Sequence, residues 1–94
     1  MTHPKSIFIT GAAAGIGAET ARLFARSGWR VGVSDVNHAA LVALQHELGT
    51  ARASLHVADV RDRDAVAAAL REFTASTGGR LDALFANAGV LFMG

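Results

Sequence analysis

The chain has 94 residues, of which 51% are hydrophobic, and a formal net charge of +1. This composition excludes an intrinsically disordered chain, which needs low hydrophobicity and high net charge, and it gives no electrostatic indication of a nucleic-acid or membrane partner. The chain has no cysteine, which excludes a disulfide framework and is compatible with the cytoplasmic location that we expect.

Short apolar runs typical of strands alternate with helical patterns along the chain. We predict strands at residues 6–10, 29–35, 53–58 and 81–86, and helices at 16–27, 38–48 and about 62–77. Asn37 is a suitable N-cap for the second helix, and Gly28, Gly49 and Gly78 stand where the three helices should end. No apolar run reaches the length of a membrane-spanning helix.

The alternation of strands and helices predicts an α/β protein with the order βαβαβαβ. Because each helix returns the chain to the edge from which the preceding strand started, the strands should be parallel. Right-handed crossovers should place the first two helices on one face of the sheet and the third on the other. The predicted buried helix residues are Ile16, Leu23 and Phe24, then Leu41, Leu44 and Leu48, then Val66, Leu70 and Phe73.

A glycine-rich stretch from Thr10 to Gly17 joins the first predicted strand to the first predicted helix. Gly11 permits a tight turn off the strand, Gly15 lets the backbone approach a pyrophosphate, and Gly17 lets the helix pack close to the sheet. The N–H groups of the first helical turn, near Ile16, favour an anion. The stretch therefore predicts a dinucleotide site, with a plain glycine-rich turn as the alternative.

An acidic residue, Asp35, ends the second predicted strand, about 20 residues beyond the glycine stretch, where a carboxylate accepts hydrogen bonds from the adenosine ribose. Its charge would repel the 2′-phosphate of NADP. Neither Val36 nor Asn37, which follow it, is basic, and Ala14 stands in the glycine stretch where a basic residue could lie. We therefore predict NAD rather than NADP. A carboxylate that only helps to cap the second helix is the alternative.

The glycine stretch, with its spacing of Gly11, Gly15 and Gly17, resembles the cofactor motif of the short-chain dehydrogenase/reductase family. The resemblance implies a Rossmann-type doubly wound parallel sheet with strand order 3-2-1-4, truncated after the fourth strand. Residues 1–94 would then be one partial NAD-binding domain, the N-terminal cofactor-binding half. We expect the apolar fourth strand to be an open edge, and the chain alone to be marginally stable or to self-associate.

Two further segments stand where that family would have them. Asp59-Val60, after the third strand, resembles the pair that contacts the adenine, and Asn87-Ala88-Gly89, after the fourth, resembles the NNAG motif that borders the cofactor. Ala86 departs from the first Asn of that motif, which puts a supporting contact in doubt. Taken alone, the first segment could be an ordinary helix-entry carboxylate and the second a turn.

The family's catalytic set is missing from this sequence. It comprises a serine, and a tyrosine and lysine spaced YxxxK, whereas this chain has no tyrosine and its one lysine, Lys5, precedes the first strand. The resemblance thus implies an oxidoreductase that moves a hydride between nicotinamide and an alcohol or carbonyl substrate, with catalytic residues beyond this chain. The chain alone should be inactive. The alternative is a complete, non-catalytic protein that binds a nucleotide or depends on a partner; a homo-oligomer is compatible with either.

Other functional classes fit the sequence less well. Glycines interrupt the apolar run after Lys5, which disfavours a signal peptide. The four histidines lack metal-site spacing, so no metal is expected. No Lys-Ser/Thr pair follows the glycines, which excludes a P-loop. The glycine spacing and Asn87-Ala88-Gly89 argue against an S-adenosylmethionine methyltransferase.

Overall fold

A computed structural model describes residues 4–86 and 89–92 of the chain. Its strands are β1 (Ser6–Thr10), β2 (Arg30–Asp35), β3 (Ala53–Val57), β4 (Ala83–Ala86) and β5 (Gly89–Phe92), and its helices are α1 (Gly15–Arg26), α2 (His38–Leu48) and α3 (Arg63–Ser76). The predicted alternation of strands and helices is confirmed through β4. None of the helices in these ranges is long and apolar enough to cross a membrane.

The strands form one sheet in the order β3-β2-β1-β4-β5. β1 lies between β2 and β4 and is parallel to both, and β2 is parallel to β3. The expected order 3-2-1-4 and the Rossmann-type α/β fold are therefore confirmed. Because these four strands are parallel, the residues that follow them meet at one edge of the sheet.

The expectation that β4 is an open edge is wrong. β5 runs antiparallel to β4, with Ala83 opposite Phe92 and Ala86 opposite Gly89. This pairing gives hydrogen-bond partners to backbone groups that an edge strand would leave exposed. Residues 90–92 are β-branched, aliphatic and aromatic, which suits them to a strand.

The two faces of the sheet are covered by different helices, as expected. Ile7, Ile9, Val31 and Val33 are buried with residues of α1 and α2 on one face. On the other face the buried residues are Phe8, Ala58 and, from α3, Ala69 and Phe73. The predicted apolar faces of α2 and α3 are confirmed, since Leu41, Leu44 and Phe73 are buried and Leu48, Val66 and Leu70 are half-buried.

The predicted buried face of α1 is largely wrong. Ile16 is 75% exposed and Leu23 is 54% exposed, and of the predicted set only Phe24 is partly buried. The buried face instead consists of small residues: Gly17, Ala18, Ala21 and Ala25. Small side chains let the helix backbone approach the sheet closely, and the larger apolar residues then lie on the outer face.

Candidate functional site

Predicted site residues from three parts of the sequence meet at the carboxyl edge of the sheet. Gly11 follows β1, Asp35 ends β2, and Asp59 lies two residues after β3. A pocket of about 310 Å³ at this edge is lined by Gly11, Asp35, Val36, Ala58, Asp59, Val60 and Arg61. Ligands of open parallel α/β sheets bind outside the carboxyl ends of the strands, and this pocket lies at those ends of β1, β2 and β3.

The glycine loop between β1 and α1 needs glycine at two positions for conformational reasons. Gly11 has φ 65° and Gly15 has φ 61°, in the left-handed region that other residues rarely adopt. A Cβ on Gly15 would meet no atom within 4 Å, so the backbone here borders open space. The loop therefore offers a larger group direct access to its backbone.

The N-terminus of α1 differs from those of the other two helices. Asn37 caps α2 by accepting a hydrogen bond from Ala40 N at 3.1 Å, and Asp62 caps α3 by accepting one from Ala65 N at 3.1 Å. The N-cap of α1 is Ala14, which makes no side-chain hydrogen bond, and the first turn of α1 has no acidic residue. Among the described residues, the first N–H groups of α1 thus have no side-chain acceptor and can receive an anion.

The Asp35 carboxylate holds the glycine loop in place. Its Oδ2 accepts a hydrogen bond from Ala13 N at 3.1 Å, and its Oδ1 accepts one from Asn37 N at 3.2 Å. Asp35 is not the N-cap of α2, because that role belongs to Asn37. A carboxylate has about four acceptor positions, so Asp35 can accept further hydrogen bonds from the hydroxyls of a ligand.

Asp59 is paired with an arginine two residues further along the chain. Arg61 donates from Nε to both carboxylate oxygens, at 3.1 and 3.2 Å, from Nη2 to Oδ2 at 2.8 Å, and from its backbone N to Oδ1 at 2.9 Å. These hydrogen bonds lower the pKa of Asp59 to about 2. The cap of α3 is Asp62, so Asp59 is not the N-cap of that helix.

Sequence reasoning missed three of the residues that line the pocket, Val36, Ala58 and Arg61. Val36 is 61% exposed and, with Val60 at 46%, adds apolar surface beside the charged groups of Asp35, Asp59 and Arg61. For Val36 and Ala58 the available signal was their position next to Asp35 and Asp59 in the sequence. For Arg61 it was the spacing of an acidic and a basic residue in Asp59-Val60-Arg61.

The remaining predicted site residues lie beside this pocket or outside the described ranges. Ile16 is in the first turn of α1 and is exposed. Asn87 and Ala88 lie outside the described residues, and Gly89 is the first residue of β5, opposite Ala86. The expected contribution of Asn87, Ala88 and Gly89 to the site therefore stays a prediction.

Comparison with known proteins places the chain in a family. The family model for short chain dehydrogenases matches residues 5–94. Short-chain dehydrogenase reductase 5 of Arabidopsis thaliana is 40% identical over 87 residues, which are 93% of this chain and 33% of that protein. The chain thus spans about one third of the length of the curated relatives that it matches.

Two solved structures show the same fold with different cofactors. A 3-ketoacyl-(acyl-carrier-protein) reductase from Brucella melitensis, complexed with NADH, has a TM-score of 0.80 and 32% identity over 87% of this chain and 33% of its own. An actinorhodin polyketide ketoreductase with NADPH has a TM-score of 0.82 and 30% identity over 89% of this chain and 33% of its own. By the family match, the shared fold and the glycine loop at the carboxyl edge, this chain belongs to the short-chain dehydrogenase family.

Proposed function

We propose that the chain binds NAD(H) through the ADP part of the cofactor. In this role it is the cofactor-binding part of an oxidoreductase that moves a hydride between nicotinamide and an alcohol or carbonyl substrate. The observation that carries the proposal is the uncapped N-terminus of α1, which lies directly after the glycine loop.

The glycine loop suits the pyrophosphate of the cofactor. In the part of the chain that the structure describes, the first N–H groups of α1 have no side-chain acceptor, and a Cβ on Gly15 would have no atom within 4 Å. An anion can therefore approach the backbone at Gly15, Ile16 and Gly17, where the helix dipole also favours negative charge.

The adjoining pocket suits the adenosine. Asp35, already fixed by Ala13 N and Asn37 N, has acceptor capacity left for the ribose hydroxyls. The exposed side chains of Val36 and Val60 offer apolar surface to the purine ring. Asp59 and Val60 would contact the adenine, as the family resemblance implies.

The negative charge of Asp35 supports NAD over NADP in this chain. A carboxylate that is held at the ribose position would repel a 2′-phosphate. The two structural neighbours differ in this respect, since one is described with NADH and the other with NADPH. The neighbours therefore do not specify which of the two cofactors this chain prefers, and the preference proposed here follows from its own residue Asp35.

The chemical step needs residues that this sequence does not contain. Bound NAD(H) supplies the hydride donor or acceptor, and Asn87, Ala88 and Gly89 would line the middle of the site. The proton on the substrate oxygen needs an acid or base, which in this family is a tyrosine, and the chain has no tyrosine. We therefore expect the 94-residue chain to bind the cofactor without turning over a substrate.

Isothermal titration calorimetry with NAD⁺ on a pair of glycine variants tests this proposal. Gly15→Ala adds a methyl group where the pyrophosphate should approach, and we expect it to weaken NAD⁺ binding by about tenfold or more. Gly78→Ala is the matched control, since Gly78 has φ 69° and equally open surroundings but lies at the end of α3. Wild-type protein without measurable affinity, or equal losses in the two variants, would overturn the proposal.

A further inference from the structure

We infer that the Asp59–Arg61 ion pair is a second determinant of cofactor choice, besides Asp35, because it keeps a cation away from the ribose 2′ position. The inference rests on the proposed nucleotide binding and goes beyond it. Arg61 would affect the choice between NAD and NADP, and its effect would depend on whether Asp59 binds it.

The positive charge of Arg61 is already paired with the carboxylate of Asp59. Its guanidinium contacts both oxygens of the Asp59 carboxylate at 2.8 to 3.2 Å, and its backbone N–H contacts the same group. Within the described ranges, Asp59 is the one acceptor of its side-chain hydrogen bonds. The side chain is 86% exposed, so packing does not fix its position.

The pocket lining has an excess of negative charge. Asp35 and Asp59 are its carboxylates, and among the described residues that line it Arg61 is the one cation. A 2′-phosphate next to Asp35 therefore meets repulsion without compensation, since Arg61 is neutralised by Asp59. The cation that could bind the phosphate is present in the pocket but is held by another anion.

Loss of the Asp59 charge should release Arg61 from its ion pair. Without a carboxylate partner, the long and exposed Arg61 side chain can turn toward a phosphate, with which guanidinium groups form strong charge-assisted hydrogen bonds. The formal charge of the lining would then be zero. Because Arg61 lines the same pocket as Asp35, a released Arg61 side chain should strengthen the binding of a 2′-phosphate more than that of any other part of the cofactor.

Calorimetric titration of the 94-residue chain with NAD⁺ and with NADP⁺ tests the inference. The measured quantity is the ratio of the two affinities, so a loss of adenine contacts common to both ligands cancels. We expect Asp59→Asn to shift this ratio toward NADP⁺ by about tenfold, as expected for one new charge-assisted hydrogen bond. In the double variant with Arg61→Ala, the ratio should return to near the wild-type value.

A matched control changes the same amount of charge at another arginine. Glu47 accepts from Arg22 Nε at 2.7 Å and Nη2 at 3.2 Å between α2 and α1, so Glu47→Gln also removes the charge of a carboxylate that makes two contacts with an arginine, although Arg22 keeps its contact with Glu19. We expect this variant to leave the affinity ratio unchanged. Thermal melts of all variants check that each is folded.

Each other outcome contradicts a different claim. If Asp59→Asn leaves the ratio unchanged, or if it shifts the ratio equally with and without Arg61, the inference is wrong while nucleotide binding stands. If the wild-type chain binds neither cofactor, the proposed function fails and this inference fails with it.

Discussion

Gly17 in the first turn of α1 packs directly against the backbone of Gly11, at the end of β1. A Cβ on Gly17 would overlap the Gly11 carbonyl oxygen and stand 2.8 Å from its carbonyl carbon. This contact, together with the alanines on the same face of α1, brings the start of the helix against the glycine loop. The position of the N–H groups that would hold a phosphate therefore depends on the absence of one methyl group.

Substitution of Gly17 should therefore disturb the loop as well as the helix. We expect Gly17→Ala to lower the free energy of unfolding by about 1–3 kcal/mol, because backbone atoms cannot move aside as a side chain can. Urea unfolding followed by circular dichroism measures the change. As a control, Glu19→Ala on the exposed side of α1 should change it by less than about 0.5 kcal/mol. An unaltered unfolding midpoint for Gly17→Ala would contradict the close packing.

The packing of α3 on the sheet depends on a second glycine, Gly32 in β2. A Cβ there would stand 2.7 Å from Cδ1 of Phe73 and 2.8 Å from Cδ1 of Phe8. Gly32→Ala should therefore destabilise the fold by about 1–3 kcal/mol through overpacking. In the background of Phe73→Leu, which removes aromatic volume, the same substitution should cost less. Thermal unfolding of the four proteins gives the coupling, and strictly additive effects would show that the two residues do not compete for space.

Asp35 should stabilise the glycine loop even without a ligand. Asp35→Ala removes the acceptor for Ala13 N and Asn37 N, and each lost hydrogen bond typically costs about 1 kcal/mol. We expect lower stability and faster amide hydrogen exchange at Ala13 and Asn37. Asp35→Asn keeps one acceptor oxygen and should have a smaller effect. Unchanged exchange at both amides in Asp35→Ala would contradict these contacts.

The titration of Asp59 reports on its pairing with Arg61. Hydrogen bonds from Arg61 lower the pKa of Asp59 from 3.8 to about 2, so the carboxylate should stay ionised throughout the pH range above about 4. Arg61→Ala should raise the pKa of Asp59 toward 3.8, so protonation begins at a higher pH. NMR titration of the side-chain carboxyl carbon measures it. Arg71→Ala removes the same charge from α3 and should not change the pKa of Asp59, whereas equal shifts would indicate a general charge effect.

Local signals in the sequence were sufficient to predict most of the architecture. β1 to β4 follow from short apolar runs that end at glycine, aspartate or asparagine, and Asn37 and Asp62 are capping residues directly before helical patterns. These features depend on neighbours in the chain, so they can be read from sequence. Gly11, Asp35 and Asp59 could be placed together because parallel strands bring their carboxyl ends to one edge.

Other features depend on tertiary contacts. The exposure of Ile16 and Leu23 follows from how closely α1 approaches the sheet, which an apolar periodicity does not encode. The antiparallel pairing of β5 with β4 depends on which strand lies beside residues 89–92 in the folded chain, and a local sequence pattern does not specify that strand. The contact between Asp59 and Arg61 depends on side-chain conformation.

Binding of the cofactor at the glycine loop can be measured by NMR titration of the ¹⁵N-labelled chain with NAD⁺. We expect saturable chemical-shift changes at the amides of Gly15, Gly17, Asp35 and Asp59, at the carboxyl edge of the sheet. We expect little change at Arg80, which precedes β4 and lies at the amino ends of the parallel strands. No saturable change, or the largest changes near Arg80, would contradict a nucleotide site formed by the glycine loop and Asp35.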